Sequence, residues 1–271
     1  MSEHDTAQDT VKVTREVPGI TMLRLNRPDK HNAFGPALMQ DMIDTLEALK
    51  QDAGTRVLII TGEGRSFSAG ADLNYMKSMI DFSHEENVAD ANRLAQMLEC
   101  INHFPCPVIA AVNGHCIAGA TGIIACSDIV IAASDARFCI SEVKLGIAPA
   151  VISPYVVARM GVHNARRFFL TAEMFDAETA RRCNLVHEVV PPDALLVSAG
   201  QFARAMLRNA PGALDETKTL IHRVAPVHVD PQVREYCCEL IARLRAGEEG
   251  QQGLAAFFDK TEPPWLSDED E

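Results

Sequence analysis

The residue in this sequence best suited to moving a proton is Glu142. It stands in Phe138-Cys139-Ile140-Ser141-Glu142-Val143-Lys144-Leu145-Gly146-Ile147-Ala148-Pro149, among mostly apolar neighbours. Partial burial disfavours the charged carboxylate and raises its pKa toward the range useful for acid–base work. The plainer alternative is an exposed glutamate paired with Lys144 on a turn, an arrangement of little energetic consequence. A second segment, Asn113-Gly114-His115-Cys116-Ile117-Ala118-Gly119-Ala120-Thr121-Gly122, runs from an apolar strand into a helix. Small residues at 118, 119, 120 and 122 uncover the helix N-terminus, whose N–H groups can serve an anion or a carbonyl oxygen gaining charge. They would serve tight helix packing equally well. A third segment, Ser66-Phe67-Ser68-Ala69-Gly70-Ala71-Asp72-Leu73, offers small residues that let a ligand approach the backbone just before a helix start. Turns of this kind are also common simply as connections between strand and helix.

The elements that must position these segments read as alternating strands and helices. Val11–Val17 and Ile20–Leu25 have strand character and are joined at the turn dipeptide Pro18-Gly19. Leu38, Met39, Met42, Ile43, Leu46 and Leu49 recur at helical spacing between Gly35 and Lys50, with Pro36 suited to the first turn. Val57–Thr61, Val108–Val112 and Ile129–Ala132 are short apolar runs of the buried-strand type. Helices are expected around Met76–Ile80, Ala89–Ile101 and Ala118–Cys126. Repeated strand–strand–helix units predict an α/β architecture with sheets covered by helices. Beyond Asp193 only helical patterns remain, at Ala194–Leu207, Leu214–Val224, Pro231–Leu244 and Glu248–Phe258, and the acidic tail Trp265–Glu271 is expected to fray. The expected division is a catalytic core over residues 1–195 and a helical C-terminal region over 196–271.

Composition and motif spacing exclude several function classes. The chain has 271 residues and a formal net charge of -12, which argues against a general nucleic-acid or anionic-membrane binder. No apolar run approaches the roughly 20 residues of a membrane helix, and the polar, acidic start resembles neither a secretory nor an import peptide. Eight cysteines without a Cys-x-x-Cys pair fit free thiols and a cytoplasmic location, with the adjacent Cys237 and Cys238 serving as packing residues. Gly62-x-Gly64 lacks the third glycine of a dinucleotide fingerprint, since Phe67 stands there. Five residues rather than four separate Gly64 from Gly70, and no lysine follows, so this is no phosphate-binding loop. Ser141-x-x-Lys144 lacks the companion motifs of penicillin-recognising hydrolases. The nine histidines form no metal-ligand pattern, so no metal is expected.

Taken together, in this order and spacing, the three segments resemble the enoyl-CoA hydratase/isomerase (crotonase) family. Flanking matches extend the resemblance from about residue 11 to 265: Asn26-Arg27-Pro28-Asp29-Lys30-His31-Asn32-Ala33, Cys106-Pro107-Val108-Ile109-Ala110-Ala111-Val112, Cys126-Ser127-Asp128-Ile129, and Ala255-Ala256-Phe257-Phe258-Asp259-Lys260 with Pro264-Trp265. The resemblance implies a spiral of strand–strand–helix turns with a helical C-terminal trimerisation region, assembled as a homotrimer or a dimer of trimers. It implies an acyl-CoA thioester substrate, with coenzyme A part of the substrate and no separate cofactor. The N–H groups of Ala71 and Gly119 would be the oxyanion-hole donors, and Glu142 the acid–base group. Ala69, Asp72 and Leu73 would contact the CoA adenine or pantetheine through their backbone, and Lys30 a CoA phosphate. Any side chain at 119 is expected to crowd the thioester oxygen.

One departure bears on the reaction. Hydratases of the family commonly carry a second glutamate, at the position occupied here by Gly122. No acid lies between His115 and Ser127. A single glutamate resembles double-bond isomerases and also some hydratases of branched or carboxylated acyl-CoAs. The run Ile147-Ala148-Pro149-Ala150-Val151-Ile152-Ser153-Pro154-Tyr155-Val156-Val157 resembles the methylglutaconyl-CoA-type hydratases within that second group. The expectation is therefore reversible hydration of a 2-enoyl-CoA by one glutamate. The alternatives are a Δ3-Δ2 isomerase and a non-catalytic acyl-CoA binding protein.

Overall fold

The structure, a computed structural model, describes residues 10–225 and 247–266. Two sheets organise it. The larger runs β1 (Val11–Val17), β2 (Gly19–Leu25), β3 (Thr55–Gly62), β5 (Val108–Val112), β7 (Ile129–Ala133) and β10 (Glu188–Val190), in that spatial order. Only the β1–β2 hairpin is antiparallel; the other neighbours pair in parallel, with Ile109 opposite Ile129 and Leu58 opposite Val108. The smaller sheet consists of β4 (Ser66–Ser68), β6 (His115–Ile117), β8 (Arg137–Cys139) and β9 (Phe175–Asp176). None of these four short strands was expected from the sequence. At two or three residues each they are too brief to display a period of two.

The unbroken apolar runs of β3 and β5 follow from burial on both faces. Leu58, Ile60, Val108, Ala110 and Val112 face a core shared with α1 (Pro36–Lys50), α3 (His84–Asn102), α4 (Gly119–Cys126) and α5 (Ser153–Thr171, broken at Gly161). Val57, Ile59, Ile109 and Ala111 face the other way, onto Leu195, Ala199, Ala203 and Leu207 of α7 (Leu195–Leu207). The expected boundary near residue 195 thus falls at the start of a helix that covers the large sheet. Helix α8 (Pro211–Val224) is tied to the core through Lys218, whose ammonium reaches Asp128 at 2.7 Å. The expected helix Pro231–Leu244, with Cys237 and Cys238, lies outside the described residues. Trp265, the first residue of the tail expected to fray, is tied down: its indole N–H donates to the carbonyl of Arg208 at 3.1 Å, and Arg56 holds its own carbonyl; residues 267–271 lie outside the described residues.

The topology repeats where the sequence does not. Each of three successive units places one strand in the large sheet, one in the small sheet, and then a turn. These are β3–β4 with the turn into α2 (Leu73–Ser78), β5–β6 with the turn into α4, and β7–β8 with the short 3-10 helix Glu142–Leu145. Because β4, β6 and β8 are parallel neighbours, their three following turns emerge side by side. Adjacent strands lie about 4.8 Å apart, so segments some fifty and twenty-five residues apart in sequence become neighbours. The carboxyl end of parallel strands is where α/β folds collect ligands.

Close crossing of the strand ends demands glycine at 114. Its φ is +59°, and a Cβ there would lie 2.0 Å from the carbonyl oxygen of Arg65. Gly114→Ala is expected to cost more than the ~1 kcal/mol of an average substitution, read as a lowered denaturant midpoint at unchanged slope.

Candidate active site

Ala71 and Gly119 are brought together by the backbone around Gly70. Gly70 has φ +85°, and a Cβ there would touch the Ile117 carbonyl oxygen at 3.0 Å and the Ala118 methyl at 3.3 Å. The two small-residue turns are therefore in direct contact. The residue that locks them is Phe34, which the sequence reading did not single out. Its N–H donates to the Gly70 carbonyl and its carbonyl accepts from the Asp72 N–H, both at 2.6 Å. This is a parallel bridge centred on Ala71. In such a bridge the flanking residues supply the bonds, so the N–H of Ala71 itself points away from Phe34.

Gly119 is freed in a different way. Ala118 has φ +49° and ψ −123°, a conformation that costs a non-glycine residue about 1–3 kcal/mol. Its N–H is anchored to the Cys139 carbonyl at 2.8 Å, and its carbonyl accepts from Thr121. The strained turn swings the N–H of Gly119 to the first position of α4, where no intrahelical acceptor exists. Among the described residues neither Ala71 nor Gly119 has an acceptor for its N–H. The small residues of α4 also serve packing, the alternative weighed above. A Cβ at Gly119 would meet the Phe34 ring at 3.3 Å, so Phe34 is what a side chain there would crowd first.

Glu142 begins the 3-10 turn after β8 and is partly buried. Its Oε2 is buried without a hydrogen-bond partner. Desolvation raises its pKa above the ordinary glutamate value, against the N–H groups of Glu142 and Ser141, which pull it down. No ion pair with Lys144 forms, so the exposed-turn alternative does not describe this residue. The place where a second acid would stand is closed. A Cβ at Gly122 would meet Ile152 at 2.6 Å and Leu98 at 3.1 Å, and Gly122 is buried.

The motif from Asn26 to Ala33 is a clamp around these turns. The Asn32 side chain donates to the carbonyls of Glu63 and Ser66 and accepts from the Arg27 N–H. Arg27 in turn donates to the carbonyl of Ala33 and to the Asp72 carboxylate at 2.9 Å. Asp72 caps α2 by accepting from the N–H groups of Asn74 and Tyr75. Burial pushes its carboxyl up, but Arg27 and these two N–H groups outweigh it and hold it below the ordinary aspartate range. The backbone N–H of Asp72 goes to Phe34 and its carbonyl accepts from Met76, so its polar groups are committed within the fold. Ala69 is exposed, Leu73 is 80% exposed, and Lys30 is exposed with its ammonium 3.9 Å from Asp72. A cavity of about 390 Å³ lies on the open face of the small sheet and reaches Ala69, Ile117 and Ser141. Ala71, Gly119 and Glu142 do not line it.

Two unengaged donors and a desolvated carboxylate on adjacent strand ends suit a carbonyl compound that passes through an enolate. A family model described as enoyl-CoA hydratase/isomerase matches residues 15–268. The chain belongs to the enoyl-CoA hydratase/isomerase family. It is similar to the crystal structure of an enoyl-CoA hydratase from Shewanella pealeana, with 42% identity, a TM-score of 0.92, and coverage of 94% of this chain and 96% of that one. It is 34% identical over 267 residues to the mevalonyl-coenzyme A hydratase of Aspergillus fumigatus, covering 97% of this chain and 96% of that protein. With the 2,3-dehydroadipyl-CoA hydratase of Escherichia coli it shares 32% identity over 246 residues, covering 90% of this chain and 94% of that protein. The crotonase-like spiral expected from the sequence is the observed fold.

Phe34→Leu keeps an apolar side chain but loosens both turns, so kcat should fall about 10- to 100-fold, as expected for misplaced groups near the chemistry, with less change in KM. Glu142→Gln should lower the rate by at least ~100-fold while leaving CoA affinity nearly unchanged. With Glu142 acting as the base, kcat/KM of the parent should fall as pH drops through its raised pKa, because a base works only when ionised. The same shift means the folded chain binds that proton more readily than the unfolded chain, so stability declines as pH rises through the interval between the two pKa values. Glu142→Gln should therefore be no less stable than the parent at neutral pH, measured by chemical denaturation.

Proposed function

We propose that the protein hydrates a 2-enoyl-CoA whose acyl group is branched and carboxylated, of the 3-methylglutaconyl type. The observation that carries the reading is Glu142: one partly buried carboxylate with a buried, unpartnered oxygen, on the strand end beside the turn that leaves the Gly119 N–H free. The thioester oxygen would sit between the N–H groups of Ala71 and Gly119. The oxygen of water adds to C3, its proton passes to Glu142, and the C2–C3 electron pair moves to form the enolate. Two fixed donors stabilise that developing charge, and losing one typically costs on the order of 3 kcal/mol. Glu142 then returns its proton to C2, and the carboxylate is regenerated.

Ile152 and Leu98 fill the space beside Gly122, so water would be oriented by Glu142 alone. A substituted C3 supports positive character during attack and needs less help from a second carboxylate. The names of two relatives, one acting on a branched mevalonyl group and one on a dicarboxylic dehydroadipyl group, support a substrate of this class. Exposed Ala69 and Leu73 would meet the CoA moiety and Lys30 one of its phosphates. Subunits would assemble through the C-terminal region as a trimer or a dimer of trimers.

Packing at Gly122 also suits an isomerase, in which Glu142 would carry a proton between C2 and C4. Incubation with 3-methylglutaconyl-CoA in heavy-oxygen water separates the two. Hydration places the label on the C3 hydroxyl and raises the product mass. Conversion of a 3-enoyl-CoA to its 2-enoyl isomer, with no 2-enoyl thioester gaining label, would replace this reading with isomerisation. Binding of both thioesters without turnover would leave a non-catalytic acyl-CoA binder.

A further inference from the structure

Helix α3 presents one stripe to the site. Leu98 lies 3.1 Å from the Cβ position of Gly122, and Leu94 lies 3.9 Å from that of Gly119. Four residues earlier the same stripe arrives at Asp90, about 6 Å further along the axis at 1.5 Å per residue. Here its character changes from apolar to polar. The Tyr75 hydroxyl donates to Asp90 Oδ1, and Arg93 reaches the same oxygen at 3.5 Å. Tyr75 belongs to α2, four residues after the donor Ala71. The Tyr75–Asp90–Arg93 cluster therefore sits one helical turn beyond the two donors, between the two helices that flank them.

A purely structural role leaves part of this cluster unexplained. The Tyr75–Asp90 bond alone would fasten α2 to α3, and an i,i+3 ion pair contributes little. Arg93 is held by its ion pair with Asp90 and by the Tyr75 hydroxyl, yet among the described residues it pairs with no other acid, and its side chain is about one-third exposed. A guanidinium carries five N–H donors in a planar fork that matches a carboxylate. Tyr75 remains a neutral donor, since burial first and Asp90 second push its pKa up to about 12.

We propose that Arg93, aimed by Asp90 and assisted by Tyr75, binds the distal carboxylate of the acyl group, so that the substrate is the CoA monothioester of a short dicarboxylic acid. The assignment rests on the acyl-CoA reading above and deepens it by naming the residues that select the substrate. With the thioester oxygen between Ala71 and Gly119, an extended acyl chain of five or six carbons spans about the one-turn distance to Asp90, whose carboxylate the Arg93 guanidinium reaches. Leu94 and Leu98 would wall its apolar middle. Arg93 is a specificity-determining residue in this scheme, and Asp90 a positioning residue that competes with the substrate for the guanidinium.

Saturated thioesters cannot be hydrated and so test recognition apart from chemistry. Calorimetric titration with 3-methylglutaryl-CoA and isovaleryl-CoA should show the parent preferring the dicarboxylic thioester about tenfold or more, the range of a charge-assisted hydrogen bond. Arg93→Met should abolish that preference while leaving isovaleryl-CoA affinity within about twofold. Asp90→Asn should act in the opposite direction and tighten 3-methylglutaryl-CoA binding, because a competing charge is removed. Absence of a preference in the parent would overturn the proposal. So would equal weakening of both thioesters by Arg93→Met, which marks a structural role. A preference that survives while the heavy-oxygen experiment fails would overturn the hydration reading and leave the carboxylate site standing.

Discussion

Two backbone N–H groups held without acceptors are the constraint around which this structure is built. A buried peptide N–H almost always finds a partner, and leaving one unmade costs about 1–3 kcal/mol. Gly119 is buried and Ala71 exposed, and the chain leaves their two N–H groups without acceptors by different means. Phe34 takes the bonds on either side of Ala71 and leaves the middle N–H outward. Ala118 accepts a strained backbone conformation so that Gly119 opens α4 with its N–H exposed to the site. The same Phe34 ring fills the space that a side chain at Gly119 would occupy. One aromatic residue thereby packs against both donor turns, and the Asn32 and Arg27 clamp holds the segment that carries it.

The electrostatics of the site follow from what is absent around Glu142. Its free oxygen has no donor and its burial raises the energy of the charged form, which makes it a better base at the expense of native stability. Functional groups commonly carry such a cost, offset elsewhere by packing. Here the offset is close by: α4 is buried over its whole length, and Ile152 and Leu98 close on Gly122. The site is apolar where a second carboxylate would have brought both a proton donor and a further desolvation penalty.

The walls of the proposed acyl region come from the same helices that complete the core. Helix α3 buries Met97, Leu98 and Ile101 and turns polar only at its N-terminal half, where Asp90 and Arg93 face α2. On the proposed reading, reaction and selection would be separated along one helix: the turn at Leu94 lies beside Gly119, and the turn at Asp90 lies one step further.

The sequence by itself determined most of the long elements, the family, and the three turns proposed to carry the chemistry. It could do so because these features are local: a run of apolar residues, a helical period, a glycine or alanine beside a strand end. It also located Glu142 and the missing second acid at Gly122. It did not disclose the small sheet, whose strands of two or three residues have no periodicity to read, nor α5, whose pattern is interrupted at Gly161. Phe34 was invisible as a site residue because its role depends on partners 36, 38 and 85 residues away, at Gly70, Asp72 and Gly119. The burial of Glu142, the strain at Ala118 and the meeting of Tyr75 with Asp90 and Arg93 were likewise decided by tertiary structure. Each depends on non-local packing that sets three turns and two helices side by side, and no local pattern encodes such an encounter.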